Sequence, residues 1–226
     1  MVKKIVILLL SIAIAENSFA QNTFIDSLTR WIEEHPAIDS QHIATLHRIS
    51  YRSSEIDVKK SYSYYEKVAA LSDSLHFNYG KSLAQINLGI LLSNSANFES
   101  SNTAYFKAID YAELCDAVRL QAVSLNNIGD NFKVLKDYEK SRKYTKEAIV
   151  LNTRLSAWRG VAINYELLHE CDMEEKKYSN AREMLVSGMP FAMKSQENYI
   201  LAQFYTGFGK LKAIKKDFDS AHIIFR

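Results

Sequence analysis

The chain has 226 residues, 47% of them apolar, with seven glycines and two prolines. That apolar content can supply a continuous core, and so few breakers point to long helices. With 28 basic and 26 acidic residues the formal net charge is only +2, so neither nucleic acid nor anionic lipid is expected as the main partner.

The first segment, Met1–Ala20, has a basic start at Lys3 and Lys4, an apolar run from Ile5 to Ala15 and a small-x-small ending at Ser18-Phe19-Ala20. This is the pattern of a secretory signal peptide, with cleavage expected before Gln21. The apolar run is short for a bilayer, which needs about 20 residues. Cleavage makes the mature segment exported, most simply periplasmic, and leaves no later stretch apolar enough to span a membrane. The alternative is a leader retained as an anchor.

Next, within residues 21–41, Phe24–Glu34 reads as a lone helix that covers the open face of the helices after it. Pro36 ends it, because the residue before a proline is pushed out of the helical region.

From residue 42 a 40-residue period governs the chain. Gly89, Gly129 and Gly209 form one column, and Phe98, Tyr138, Tyr178 and Phe218 a second, nine residues on. Small residues follow at Ser101, Ser141, Ala181 and Ala221, then at Ala108, Ala148 and Gly188. Between the last two runs a mostly large column, Tyr65, Tyr105, Thr145, Leu185 and Phe225. Small columns let two helices approach closely, and large ones fill the space between them. A second helix in each copy is expected to start just after Asp57, Asn97, Asp137 and Asp217, all good N-caps, whereas Lys177 gives the fourth copy none.

These columns resemble those of the tetratricopeptide repeat, whose glycine, small residue, aromatic and alanine recur at matching offsets in a helix-turn-helix unit. The resemblance covers most of the chain, as repeats 42–81, 82–121, 122–161, 162–201 and a partial 202–226. At 40 residues the repeat is longer than the usual 34, which lengthens each helix by about 4–5 Å. Ile49 and His169 depart from the glycine column. The expected fold is all-α, a right-handed solenoid of antiparallel helix pairs. Arg226 falls inside the second helix expected of the fifth repeat, so the chain reads as one part of a longer product. Pro190, inside the second helix of repeat four, is expected to kink or break it between Ser187 and Phe191.

Motifs for chemistry are absent. Gly80-Lys81-Ser82 copies the tail of a phosphate-binding loop, but Leu75 stands where its first glycine belongs and the surrounding pattern is helical. His42 and His47 lie about 140° apart around a helix, so they do not share a face as a metal-ligand pair would. His169-Glu170-Cys171-Asp172 looks ligand-rich only along the chain, since helix neighbours point in different directions. Met173, Met184, Met189 and Met193 are expected as core fillers. Cys115 and Cys171 sit at unrelated repeat positions and are not expected to form a disulfide. No catalytic residue, metal ligand or cofactor is assigned, and the chain reads as non-enzymatic.

The resemblance implies that the first helix of each repeat lines a groove. In peptide-binding members an asparagine two residues before the glycine column can hold a peptide backbone, and Asn87 and Asn127 occupy that place. An amide both donates and accepts, so it can pair with a backbone whatever the side chains. Asn126 and Asp130 stand where chaperone-binding members carry basic residues, and they join the candidate set. Glu166, Glu170 and Glu174 complete it, stacked four apart on one face with Asp130 facing them from the preceding repeat. Like charges at that spacing repel, so a bound cationic group would relieve them. The expected partner is a protein or peptide, bound by the extracytoplasmic sensing part of a bacterial signalling protein. A free envelope adaptor and a non-catalytic part of an enzyme are the alternatives.

Overall fold

The computed structural model describes the backbone of residues 22–224 and side chains as far as residue 214. The signal-peptide segment lies outside the described residues, as do the side chains of Asp217, Phe218, Ala221 and Phe225. Every regular element among the described residues is helical. Helix α1 covers residues 22–34. It is followed by α2 (Ser40–Ser53), α3 (Val58–Ser74), α4 (Asn78–Asn94), α5 (Phe98–Glu113), α6 (Val118–Val134), α7 (Tyr138–Arg154), α8 (Trp158–Glu174), α9 (Tyr178–Ser195) and α10 (Asn198–Ile224). Among the described residues no helix is long and apolar enough to cross a membrane.

The helices fall into two compact lobes, divided after Cys115. In the first lobe α2 packs on α3, α3 on α4 and α4 on α5, with α2 also touching α4. In the second, α6 through α10 pack in the same succession, and α8 touches both α6 and α10. Each lobe is thus a short solenoid of helix pairs, as the 40-residue period predicts. Helix α1 caps the first lobe, where Ile25 and Leu28 join Ile49 in one core cluster with Ile32 and Tyr64 against it.

The corners between helices repeat every 20 residues, half the period read from the sequence. Residues 76, 96, 116, 136, 156, 176 and 196 all have positive φ, and none is glycine. Around Lys136 the Asp137 N–H bonds the Phe132 carbonyl at 2.9 Å and the Lys136 N–H bonds the Lys133 carbonyl at 2.9 Å. That pair of bonds is a Schellman motif, which satisfies carbonyls the helix end would otherwise orphan. The next helix starts at once: Asp137 accepts from the Lys140 N–H, as Asp57 does from Lys60 and Asn97 from Ser100. Lys177 makes no such side-chain cap.

The columns behave as spelled. Ser61, Ser101, Ser141 and Ala181 are all buried, as are Val68, Ala108 and Ala148 in the next small column. Facing positions trade volume. A Cβ on Gly160 would stand 2.7 Å from the Asn152 side chain, and one on Gly80 would meet Ser72 Oγ at 2.2 Å. In the second lobe Ile200 instead sits with the small Ala192 in one apolar cluster, which also holds Ala162, Leu185 and Phe204.

Two local expectations need correction. Of the kink or break expected at Pro190, the break does not occur, since helix α9 continues through it. A proline forfeits only its own bond to the carbonyl four residues back, here that of Val186, whose side chain is exposed. Packing of Leu185, Gly188 and Ala192 on both sides holds the helix together. Likewise α10 continues past Asp217, where the sequence predicts a new helix. A corner costs a residue at positive φ, whereas continuing the helix keeps each backbone N–H bonded without that strain.

Candidate functional site

The second lobe contains an open groove of about 970 Å³ lined by α6, α8 and α10, the first helices of successive repeats. Side chains at intervals of three and four residues along α8 point into it: Glu166, His169, Glu170, Met173 and Glu174. From α6 comes Lys133, and from α10 come Gln203, Thr206, Gly207 and Lys210. Lys136 with Tyr138 and Lys176 with Tyr178 stand at the corner end. Aligned repeats bring equivalent residues of different copies side by side, which is why one helical face of each copy contributes.

The acidic stack is partly neutralised from within. Lys133 Nζ lies 2.5 Å from Glu170 and 3.0 Å from Asp130. Burial works against its charge, but Asp130 and Glu170 outweigh that and hold the lysine firmly protonated. Glu166 has no ion-pair or hydrogen-bond partner among the described residues. Burial first, then the neighbouring Glu170, pushes its pKa up to about 7, against the opposing pull of Lys133 and Lys210.

His169, which replaces the column glycine, is buried at 5% exposure. Its Nδ1 meets the Ala181 carbonyl at 2.9 Å. A carbonyl can only accept, so Nδ1 carries a proton, and in that tautomer Nε2 is an acceptor. That Nε2 faces Gly207, where an added Cβ would stand 3.1 Å away. The large histidine of repeat four is thus accommodated by a glycine in repeat five.

The candidate asparagines have different fates. Asn87, in the first lobe, is only 1% exposed, and neither of its amide atoms meets a hydrogen-bond partner among the described residues. Beside it lies His47, whose buried Nδ1 is also unpartnered. Burial is the largest influence on His47 and lowers its pKa to about 4, against the Leu83 carbonyl and the Asn87 side chain, which favour the charged form. Asn126 accepts from Asn164 Nδ2 at 2.7 Å, while Asn164 Oδ1 accepts from Asn152 Nδ2 at 2.9 Å. This amide chain ties α6, α8 and α7 together, so Asn126 serves at least the fold. Asn127 is half-buried on α6, outside the lining of the groove.

The remaining candidates for chemistry are absorbed by packing. Ser82 donates its hydroxyl to the Ala108 carbonyl at 2.8 Å, and Lys81 pairs with Asp73 at 3.0 Å. Cys115 and Cys171 are free thiols, and Cys171 Sγ lies 3.2 Å from Ser141 Oγ in the core. Asp172 is buried and paired with Arg142 at 2.5 Å, and Glu175 binds the same guanidinium. Among the described residues no group of three His, Cys, Asp or Glu is placed to hold a metal ion. Sequence reasoning missed His169 and Gly207 as partners because they stand in different columns.

Helix pairs stacked in succession at a 40-residue period, with a groove along the first helices, define a tetratricopeptide-like helical repeat protein. Similar solved structures include BtubC (BKLC) from P. vanneervenii, 17% identical over 90% of this chain and 85% of that one with a TM-score of 0.69. The apo form of RapI is likewise 17% identical over 90% of this chain, with a TM-score of 0.64. This chain spans 59% of RapI. At such identities the likeness is one of fold alone. No family model matches the sequence, and no curated protein matches it.

Proposed function

We propose that this chain is a non-enzymatic protein-recognition module that acts outside the cytoplasm and takes a peptide segment along the groove of its second lobe. The observation that carries this is the groove itself, an open channel of about 970 Å³ formed by side chains of three successive repeats. Its length along α8, from Glu166 to Glu174, is eight residues, or about 12 Å, which suits three or four residues of extended chain. The leader pattern at Met1–Ala20 supports export, and export of a recognition module fits the sensing part of an envelope signalling protein.

Photo-crosslinking tests the groove. A photoreactive residue at Thr206, inside it, is compared with one at Val150, exposed on α7. A distinct adduct from envelope extract is expected at Thr206 alone, and equal labelling at both positions overturns the assignment. Export is tested by intact mass, with Gln21 expected at the N-terminus and a retained Lys3 and Lys4 excluding cleavage. The sensing role expects coding sequence beyond Arg226 to continue into a membrane helix and a signalling domain. A stop codon after one further capping helix would instead make the protein an adaptor.

A further inference from the structure

We infer that the groove of the second lobe contains a pocket for one cationic side chain of the bound segment, an arginine guanidinium, formed by Glu166, His169 Nε2 and Glu170 over Gly207. The inference deepens the proposed peptide-binding role and rests on it.

Four observations converge here. Glu166 is a carboxylate in the groove without an ion pair among the described residues, while its neighbour Glu170 is already engaged by Lys133. His169 is more than nine-tenths buried, its Nδ1–H is committed to Ala181, and its Nε2 is left as an acceptor beside the groove. Gly207 puts no side chain over that nitrogen. Residues 166, 169 and 170 share one helical face, so all three line the groove from the same side. Glu166, Glu170 and His169 Nε2 are all acceptors, which selects a ligand group rich in N–H. A guanidinium has five N–H groups in a planar fork and takes several acceptors at once, and it keeps its charge at all working pH values. A metal ion is the other acceptor-seeking occupant, and the carboxylate and imidazole groups do not gather in a metal-binding arrangement.

Binding is coupled to protons. The charged groups that act on Glu166 are Glu170 on α8, Lys133 on α6, which is itself paired with Asp130, and Lys210 on α10, with His169 in the same lining. Burial and Glu170 raise the Glu166 pKa to about 7, so the free site is partly protonated at neutral pH. An incoming cation favours the ionised form and expels that proton. Between pH 6 and pH 8 the ionised fraction rises from about 0.1 to about 0.9, so affinity should rise about ninefold.

The test is calorimetric titration of the whole chain with a blocked pentapeptide carrying arginine at its centre and glycine elsewhere, and with its citrulline counterpart, which keeps the shape and loses the charge. Binding of the arginine peptide at millimolar concentration is expected, at least about tenfold stronger than that of the citrulline peptide and rising with pH. Titration in buffers of different ionisation enthalpy should show up to about half a proton released at pH 7. Glu166→Gln should abolish both the proton release and the preference for arginine while leaving the circular-dichroism melt cooperative. Undetectable binding of the arginine peptide, equal binding of the two peptides, or unchanged binding by Glu166→Gln overturns the pocket. If groove crosslinking at Thr206 persists in that case, peptide recognition stands and only its cation pocket falls.

Discussion

Gly89 and Tyr105 touch so closely that a Cβ on the glycine would stand 2.4 Å from Cε1 of the tyrosine ring. Tyr105 is itself only 2% exposed, so the ring has nowhere to swing. The helix α4–α5 crossing is therefore set by the absence of a side chain at Gly89. Gly89→Ala should cost about 1–3 kcal/mol through overpacking, even though alanine favours helix by about 1 kcal/mol. A Cβ on Gly209, in the same column, would meet nothing within 4 Å among the described residues. Gly209→Ala should accordingly stabilise the chain by about 0.5–1 kcal/mol through propensity alone. Chemical denaturation of the two variants checks the opposite signs, and a shared sign would remove the assigned crossing.

A pH-dependent stability arises from Glu166. Its folded pKa, about 7, lies above the ordinary 4.5. The folded state thus binds more protons than the unfolded state between those values, and stability falls as pH rises through that window. Above pH 7 the full cost is present, reduced by the solvent that reaches this half-buried carboxylate. Glu166→Gln should raise the melting temperature at pH 8 and change it little at pH 4.5. An equal gain at both pH values would show that the carboxylate is not perturbed by folding.

The Asn152–Asn164–Asn126 chain predicts a structural penalty at a position read as ligand-binding. Asn164 is fully buried and serves both neighbours. Asn164→Ala strands the Asn152 amide and should destabilise by about 1–3 kcal/mol. Asn126→Ala should cost less, about 0.5–1.5 kcal/mol, because Asn126 is only half-buried and water can replace it. Urea melts of the two variants and the double mutant measure the coupling, and strictly additive effects would mean that the chain does not act as a unit.

Seven residues at positive φ without a glycine leave room for improvement. Ala96 sits at φ 58 in the corner between α4 and α5. Ala96→Gly should stabilise by about 0.5–1 kcal/mol, because relief of the left-handed strain exceeds the extra entropy of glycine in the unfolded chain. Thermal melts of this variant and of Ser156→Gly should both shift upward, and a downward shift would show that the side chains at these corners hold contacts worth more than the strain.

Much of the fold was legible because its determinants are local or strictly repeated. Asp57, Asn97 and Asp137 announce their helices by caps that reach only three residues ahead. The buried serines and alanines announce themselves by recurring every 40 residues, and Leu28 marks α1 as a cap by standing one period before Val68. The 20-residue rhythm of the corners was not legible, since histidine, alanine, aspartate, lysine, serine and glutamine share no composition that signals positive φ. Nor did Pro190 and Asp217 behave as local rules expect, because packing and helix continuity outweighed a single lost bond and a single capping side chain.

The sequence alone therefore determined the all-helical repeat, its period and the face of each helix that turns inward, all of which depend on spacing along one chain segment. Only the tertiary structure decided which of the polar groups on that face are open to a partner. It buried Asn87, tied Asn126 to Asn164, spent Lys133 on Asp130 and Glu170, and left Glu166 and His169 Nε2 facing the groove. Those outcomes depend on side chains roughly 40 residues apart that meet across different columns, as His169 meets Gly207. Burial and charge pairing at such contacts are properties of the assembled groove, and no residue carries them before its neighbours from the adjacent helices are in place.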